Sequence, residues 1–135
     1  MRRNTVDSWS SQVVPLEAEE QKWLLQWVEL NTQAHPELSL FYHIPNEGKR
    51  SWQQGRALKD QGMKKGVPDN CLPVARGKYH ALYIELKRTR GGRPSAEQIE
   101  WIDALNQAGN RAVICEGWEE AAQEIMRYLK GGVYR

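Results

Sequence analysis

The stretch Gly66-Val67-Pro68-Asp69, answered further along by Tyr83-Ile84-Glu85-Leu86-Lys87, decides the fold. Alternate residues of a strand share a face, so Glu85 and Lys87 point one way while Leu82, Ile84 and Leu86 point the other. A strand built for a core therefore carries charge on its second face. Between the two acids, Asn70 to Ala75 reads as a strand, Arg76-Gly77-Lys78 as a tight turn and Tyr79 onward as the returning strand. With that turn centred on Gly77, Asp69 falls opposite Glu85, the Cβ atoms roughly 5 Å apart in an antiparallel pair. Like charges so placed repel unless positive charge lies between them. Lys87, on the same face, is one source; a hard divalent cation taking carboxylate oxygens is another, and the two are compatible.

Upstream, Leu16 to Gln33 has a helical period, with Leu16, Trp23, Leu24, Trp27 and Val28 as its apolar stripe. Glu20 falls in the middle of that stripe, whereas Glu17 and Glu19 read as solvated. A carboxylate on a buried face costs free energy unless it is paired or metal-bound, so Glu20 is either a site residue or the partner of a buried base such as Lys87. His35-Pro36 ends the helix. Leu38 to Ile44 reads as the first strand and Pro45 to Gly48 as a turn, with His43 either reaching the site or, the commoner case, satisfying a strand-end hydrogen bond. Ser51 caps a short helix that stops at Gly62. Pro73 would remove a ladder donor and marks its strand as an edge or a bulge.

Downstream of Lys87, Arg88-Thr89-Arg90-Gly91-Gly92-Arg93 is a basic, glycine-containing loop suited to a phosphate backbone. Ser95-Ala96-Glu97-Gln98 is a capping box that opens a helix to Gly109, with Ile102 and Leu105 inward. Gln98 has two readings: it closes the box, or it faces the charged strand. Arg111 to Cys115 reads as a fourth strand and Trp118 to Lys130 as a final amphipathic helix. The expected architecture is α/β, a mixed central sheet of about four strands flanked by helices, in the order α-β-(short α)-β-β-α-β-α. The passage from Glu85 through Gln98 to Val113 would be a right-handed parallel crossover.

The length of 135 residues suits one folded unit, expected over 16–132 behind an N-terminal arm of residues 1–15 carrying Arg2, Arg3 and Trp9. At 40% hydrophobic and 27% charged the balance is that of an ordinary globular chain. The net charge of +2 hides an asymmetry, because residues 43–93 hold twelve Lys and Arg against four Asp and Glu. A basic middle around an acidic pair suits a polyanion drawn to a metal site. Lys49, Arg50, Lys64, Lys65, Arg88, Arg90 and Arg93 are the candidate nucleic-acid contacts. Cys71 and Cys115 lie on separate strands without a C-x-x-C spacing or a histidine cluster, so they read as buried thiols rather than zinc ligands. No apolar run reaches a membrane span and Met1 to Val14 lacks the apolar segment of a signal peptide, so a reducing, cytosolic setting is expected.

Gly62-x-Lys64-x-Gly66-Val67-Pro68-Asp69, then Glu85-x-Lys87, then Gln98, together with Ile44 to Arg50 upstream, resemble the VRR-NUC nucleases, a branch of the PD-(D/E)XK superfamily. The resemblance spans roughly residues 16–130. It implies a restriction-endonuclease-like core and hydrolysis of DNA phosphodiesters with Mg²⁺ or Mn²⁺, leaving a 5′-phosphate. It also implies branched or flap-bearing DNA as substrate, and homodimers acting on four-way junctions. On this reading Asp69, Glu85 and the Leu86 carbonyl hold the metal, and Glu20, the acid of the first helix, helps with a second ion. Lys87 stabilises developing charge and Gln98 sits near the attacking water or a phosphate. Trp9 and Trp52, off the core stripes, are free to stack on bases or bury in a dimer face. Asn70 departs from the family, which has an apolar residue there, and is expected to weaken the strand without touching the acidic pair. The rival from another class is a catalytically inactive module that clamps branched DNA. Two bare carboxylates beside a phosphate argue against it.

Overall fold

The computed structural model describes residues 14–45 and 51–131. The elements in order are helix α1 (Glu17–Asn31), a 3-10 turn (Pro36–Leu40), strand β1 (Tyr42–His43), helix α2 (Trp52–Asp60), strands β2 (Asn70–Leu72) and β3 (Leu82–Lys87), helix α3 (Ala96–Gln107), strand β4 (Arg111–Glu116) and helix α4 (Trp118–Leu129). The strands form one mixed sheet in the order β1-β2-β3-β4, antiparallel across its first two pairings and parallel between β3 and β4. Helix α3 makes the crossover between the parallel pair, as the spacing from Glu85 to Val113 implied.

The β2–β3 register is the one a turn at Gly77 dictates: Asn70 faces Ile84, Cys71 faces Tyr83 and Leu72 faces Leu82. Arg76 and Tyr79 exchange backbone hydrogen bonds of 3.1 and 2.9 Å around Gly77-Lys78. Gly77 has φ +56°, the left-handed conformation that two-residue hairpin turns demand.

Leu82, Ile84 and Leu86 fill the space between the sheet and two helices, meeting Leu24 and Val28 of α1 and Ala121, Ile125 and Tyr128 of α4. Each such fully buried aliphatic side chain contributes about 1.5–3 kcal/mol. This packing fixes β3 and so fixes which way Glu85 and Lys87 face. Tyr128 is fully buried and donates its hydroxyl hydrogen to the Val74 carbonyl at 2.6 Å, tying α4 to the segment after β2.

Three expectations are corrected. The first strand is two residues long, because Pro36 starts a 3-10 turn through Leu40 that tucks Leu38 into the core. The strand carrying Pro73 is interior, lying between β1 and β3, and it ends at Leu72, so the missing ladder donor falls just outside it. The stripe of α1 narrows to Leu24 and Val28, with Leu16 and Trp23 exposed. Helix α2 opens with the expected Ser51 cap, reinforced by Gln54, yet buries no residue. Trp52 is 72% exposed there, with the Arg56 guanidinium 5.2 Å from its ring. The N-terminal arm with Trp9 lies outside the described residues. Among the described residues no helix is long and apolar enough to cross a membrane.

Cys71 and Cys115 are both buried and free. Burial pushes both thiols up, Cys115 from the ordinary 9.0 to about 12. A thiol whose proton is held more tightly in the folded chain leaves stability intact below pH 9 and erodes it as the pH climbs toward about 12. Both cysteines should therefore resist iodoacetamide at neutral pH and react on unfolding, and the denaturation midpoint should fall between pH 9 and 11 less steeply in a Cys115→Ala variant. Peptide-resolved alkylation and alkaline denaturation curves check the two halves.

Candidate active site

On the face of β3 opposite its core residues, Glu85 and Lys87 stand side by side and almost wholly buried, 1% and 5% exposed. Lys87 Nζ lies 3.4 Å from Glu85 Oε2. Gln98 Nε2 donates to the same Glu85 oxygen at 3.0 Å. The other end of that amide closes the capping box, Gln98 Oε1 accepting the Ser95 N–H at 2.8 Å while the Gln98 N–H reaches Ser95 Oγ at 3.1 Å. The two readings of Gln98 are thus both met by one side chain: the cap fixes its rotamer, and the fixed rotamer aims its NH₂ group at Glu85.

Asp69, 6% exposed, enters where the chain turns into β2. Its Oδ1 accepts the Leu86 N–H at 3.1 Å and the Asn70 side-chain amide at 3.0 Å. Its carbonyl accepts from the Ile44 N–H at 2.7 Å and pairs with His43 Nδ1 at 2.8 Å, so His43 serves the strand end as expected. Main chain and side chain of Asp69 are each held on two sides.

Gly66 just upstream has a positive φ of +94°. A Cβ there would meet the backbone of Glu97 at 2.7–2.8 Å. The approach is to the first turn of α3, which brings the loop bearing Asp69 against the helix bearing Gln98.

Glu17, Asp69 and Glu85 each present a carboxylate oxygen within 4.8 Å of the others. That donor set, all hard oxygen and doubly or triply anionic, fits a hard divalent cation. The helix acid in the cluster is Glu17, where Glu20 was expected and Glu17 was read as solvated. Glu20 is buried as its position on the stripe required, but its Oε2 accepts from Thr89 Oγ1 at 2.7 Å and its Oε1 from the Trp118 N–H at 2.9 Å. Glycine at the N-cap of α4 offers no side-chain acceptor, and Glu20 supplies one from another helix. Periodicity finds which face is buried; it does not say that the first turn of this face abuts α4 on one flank and the acidic cluster on the other. Glu19 is exposed and caps its own helix, accepting the Leu16 N–H at 3.0 Å.

Gln21 was missed, and Asn70, expected to leave the acidic pair untouched, instead donates its side-chain amide to Asp69. The side-chain amides of Gln21 and Asn70 bond to each other twice, at 2.8 and 2.9 Å. A signal existed, because Glu17 and Gln21 extend the row of Leu24 and Val28 toward the helix start, where apolar residues give way to polar ones.

Of the basic residues, Lys65 and Arg93 line the cleft together with Asp69, Glu85, Lys87 and Gln98, a space of about 330 Å³. Lys65 also pairs with Glu97 at 3.7 Å. Lys64 and Arg90 are exposed, Lys64 beside a separate hollow formed with Trp101. Arg88, expected on a phosphate, donates one guanidinium N–H to the Val14 carbonyl at 3.1 Å. Lys49 and Arg50 lie outside the described residues.

The family model of the VRR-NUC domain matches residues 5–119, most of the chain. The chain belongs to the VRR-NUC domain family. A solved structure described as a VRR_NUC domain protein is similar to it at 28% identity and a TM-score of 0.75, covering 90% of this chain and 93% of that one. No curated protein matches it. VRR-NUC domains are nuclease domains, so DNA processing is the class of work this chain does and DNA is its partner.

Two expectations follow from the geometry. Glu20→Ala strips the acceptor from Thr89 and from the start of α4, and should lower stability by about 2–3 kcal/mol in urea unfolding, whereas Glu17→Gln should cost none because it relieves repulsion in the cluster. Gly66→Ala, strained in φ and in collision with α3, should cost about 1–3 kcal/mol in the same assay.

Proposed function

We propose that this chain is a Mg²⁺- or Mn²⁺-dependent endonuclease that hydrolyses DNA phosphodiesters, selecting branched structures such as four-way junctions or flaps. The observation that carries the reading is the convergence of three carboxylates beside a buried lysine in a cleft with basic walls. Asp69, Glu85 and Glu17 would hold the metal. The Leu86 carbonyl joins them on this reading, and Pro68 supports it: continued past β2, the register sets Pro68 against Leu86, and proline has no N–H to give that carbonyl. A divalent ion bound there supplies a polarised phosphoryl oxygen and an activated water.

The chain's own groups do the rest. Lys87 neutralises the acidic pair before substrate arrives and stands ready for the charge that develops on the phosphate. Gln98 holds Glu85 to one rotamer by its amide. Lys65, Arg93, Arg90 and Lys64 place cations along the approach of a DNA backbone, with Lys49 and Arg50 near them in sequence. Branch selectivity and a homodimeric state are carried over from the family resemblance, and Trp52, exposed beside Arg56, suits stacking on an unpaired base.

The test is incubation with four-way junction, flap and linear DNA in Mg²⁺, Mn²⁺ or EDTA. Cleavage of the branched substrates is expected with either metal and none in EDTA. Asp69→Asn and Lys87→Ala should each cut the rate by about 10²–10³ while retaining binding in a gel-shift assay. Binding without cleavage under both metals would establish the inactive clamp instead, and equal cutting of linear DNA would remove branch selectivity.

A further inference from the structure

Asn70 is wholly buried on the core face of β2, at a position where an apolar side chain would cost nothing to desolvate. Both hydrogens and the oxygen of its amide group find partners there. One hydrogen of Nδ2 goes to Gln21 Oε1 at 2.9 Å, the other to Asp69 Oδ1 at 3.0 Å, and Oδ1 accepts from Gln21 Nε2 at 2.8 Å. The orientation is locked: an inverted Asn70 amide would press its oxygen against the Asp69 carboxylate. Gln21 in turn sits one helical turn after Glu17, so the amide pair ties the helix that carries one acid of the cluster to the strand that carries another.

We propose that Gln21 and Asn70 act together as positioning residues, setting the separation of Glu17 from Asp69 and so the fit of the acidic cluster to its cation. This rests on the metal-site reading above. Neither side chain is among the cluster's acids; both act through the carboxylates. The bare alternative is a satisfied amide pair that contributes to folding alone. Without the pair, Asp69 Oδ1 loses the Asn70 amide while the Leu86 N–H stays, and the start of α1 loses this polar link to β2. Asn70→Leu should then loosen the cluster even where it leaves the core better filled, because the lost bonds lie on the ligand and the gained contacts lie on the opposite face.

Mn²⁺ titration followed by the electron paramagnetic resonance of the free ion measures the cluster without DNA or turnover. Wild type, Asn70→Leu, Gln21→Leu, the double variant and Asp69→Asn are compared, each with its melting temperature. Asn70→Leu should weaken Mn²⁺ binding about tenfold, the usual scale for a partner behind a ligand. Gln21→Leu, at a half-buried helix position that folds regardless, should lose several-fold, and the double variant no more than Asn70→Leu, because the two amides work as one unit. Asn70→Leu and Gln21→Leu both binding Mn²⁺ within about twofold of wild type, with Asp69→Asn impaired, would overturn the positioning role and leave the metal site standing. Losses that multiply in the double variant would also overturn it. Wild-type affinity in Asp69→Asn would remove the metal site itself.

Discussion

Three carboxylates gathered within 4.8 Å is the constraint on which the rest of this molecule depends. Buried charges of one sign do not assemble unless other groups hold them there. The chain meets the cost with an ammonium at 3.4 Å, a side-chain amide at 3.0 Å, a backbone N–H at 3.1 Å and the Asn70 amide at 3.0 Å. The donors come from three elements: Lys87 and the main chain of Leu86 from β3, Gln98 from α3 and Asn70 from β2. The fold is, in this sense, a frame that keeps acidic groups close, and the apolar face of β3 is what makes the frame rigid.

The same logic explains why a polar element recurs wherever two pieces of scaffold meet near the cluster. Gln98 closes a helix cap and holds Glu85 with opposite ends of one amide. Glu20 provides the missing cap of α4 while anchoring Thr89 at the root of the basic loop. The Lys87 carbonyl accepts the Gly117 N–H at 2.8 Å, so the start of α4 is also tied to the strand end that presents the lysine. Gly66 lets the loop before Asp69 lie on the backbone of α3. Side chains that read as separate local signals are structurally one assembly.

The basic residues divide by the same geometry. Lys65 and Arg93 border the cleft, while Arg88 donates to the Val14 carbonyl and so secures the entry to α1. A loop's charge density announces that cations are available; which of them face a ligand depends on backbone direction at each residue. Trp52, exposed on a helix that buries nothing, stands apart from the core and with the basic surface.

Much was legible in the chain alone. The alternation of β3, the turn at Gly77, the S-x-x-Q box and the order of elements follow from periodicities of two and of about 3.6 and from glycine's access to positive φ, which are local and survive any environment. These made Asp69, Glu85 and Lys87 neighbours and left Gln98 with two readings, of which the structure shows both. What only the tertiary structure decided is which acid of the first helix joins them. Glu17 and Glu20 lie three residues apart, both within reach of the buried side of α1, and a difference of about 60° in azimuth sends one to the cluster and the other to the start of α4. The partner of Asn70 was beyond sequence for the same reason: Gln21 is 49 residues away, and a hydrogen bond between two neutral amides depends on how a helix settles on a sheet, which no periodicity encodes.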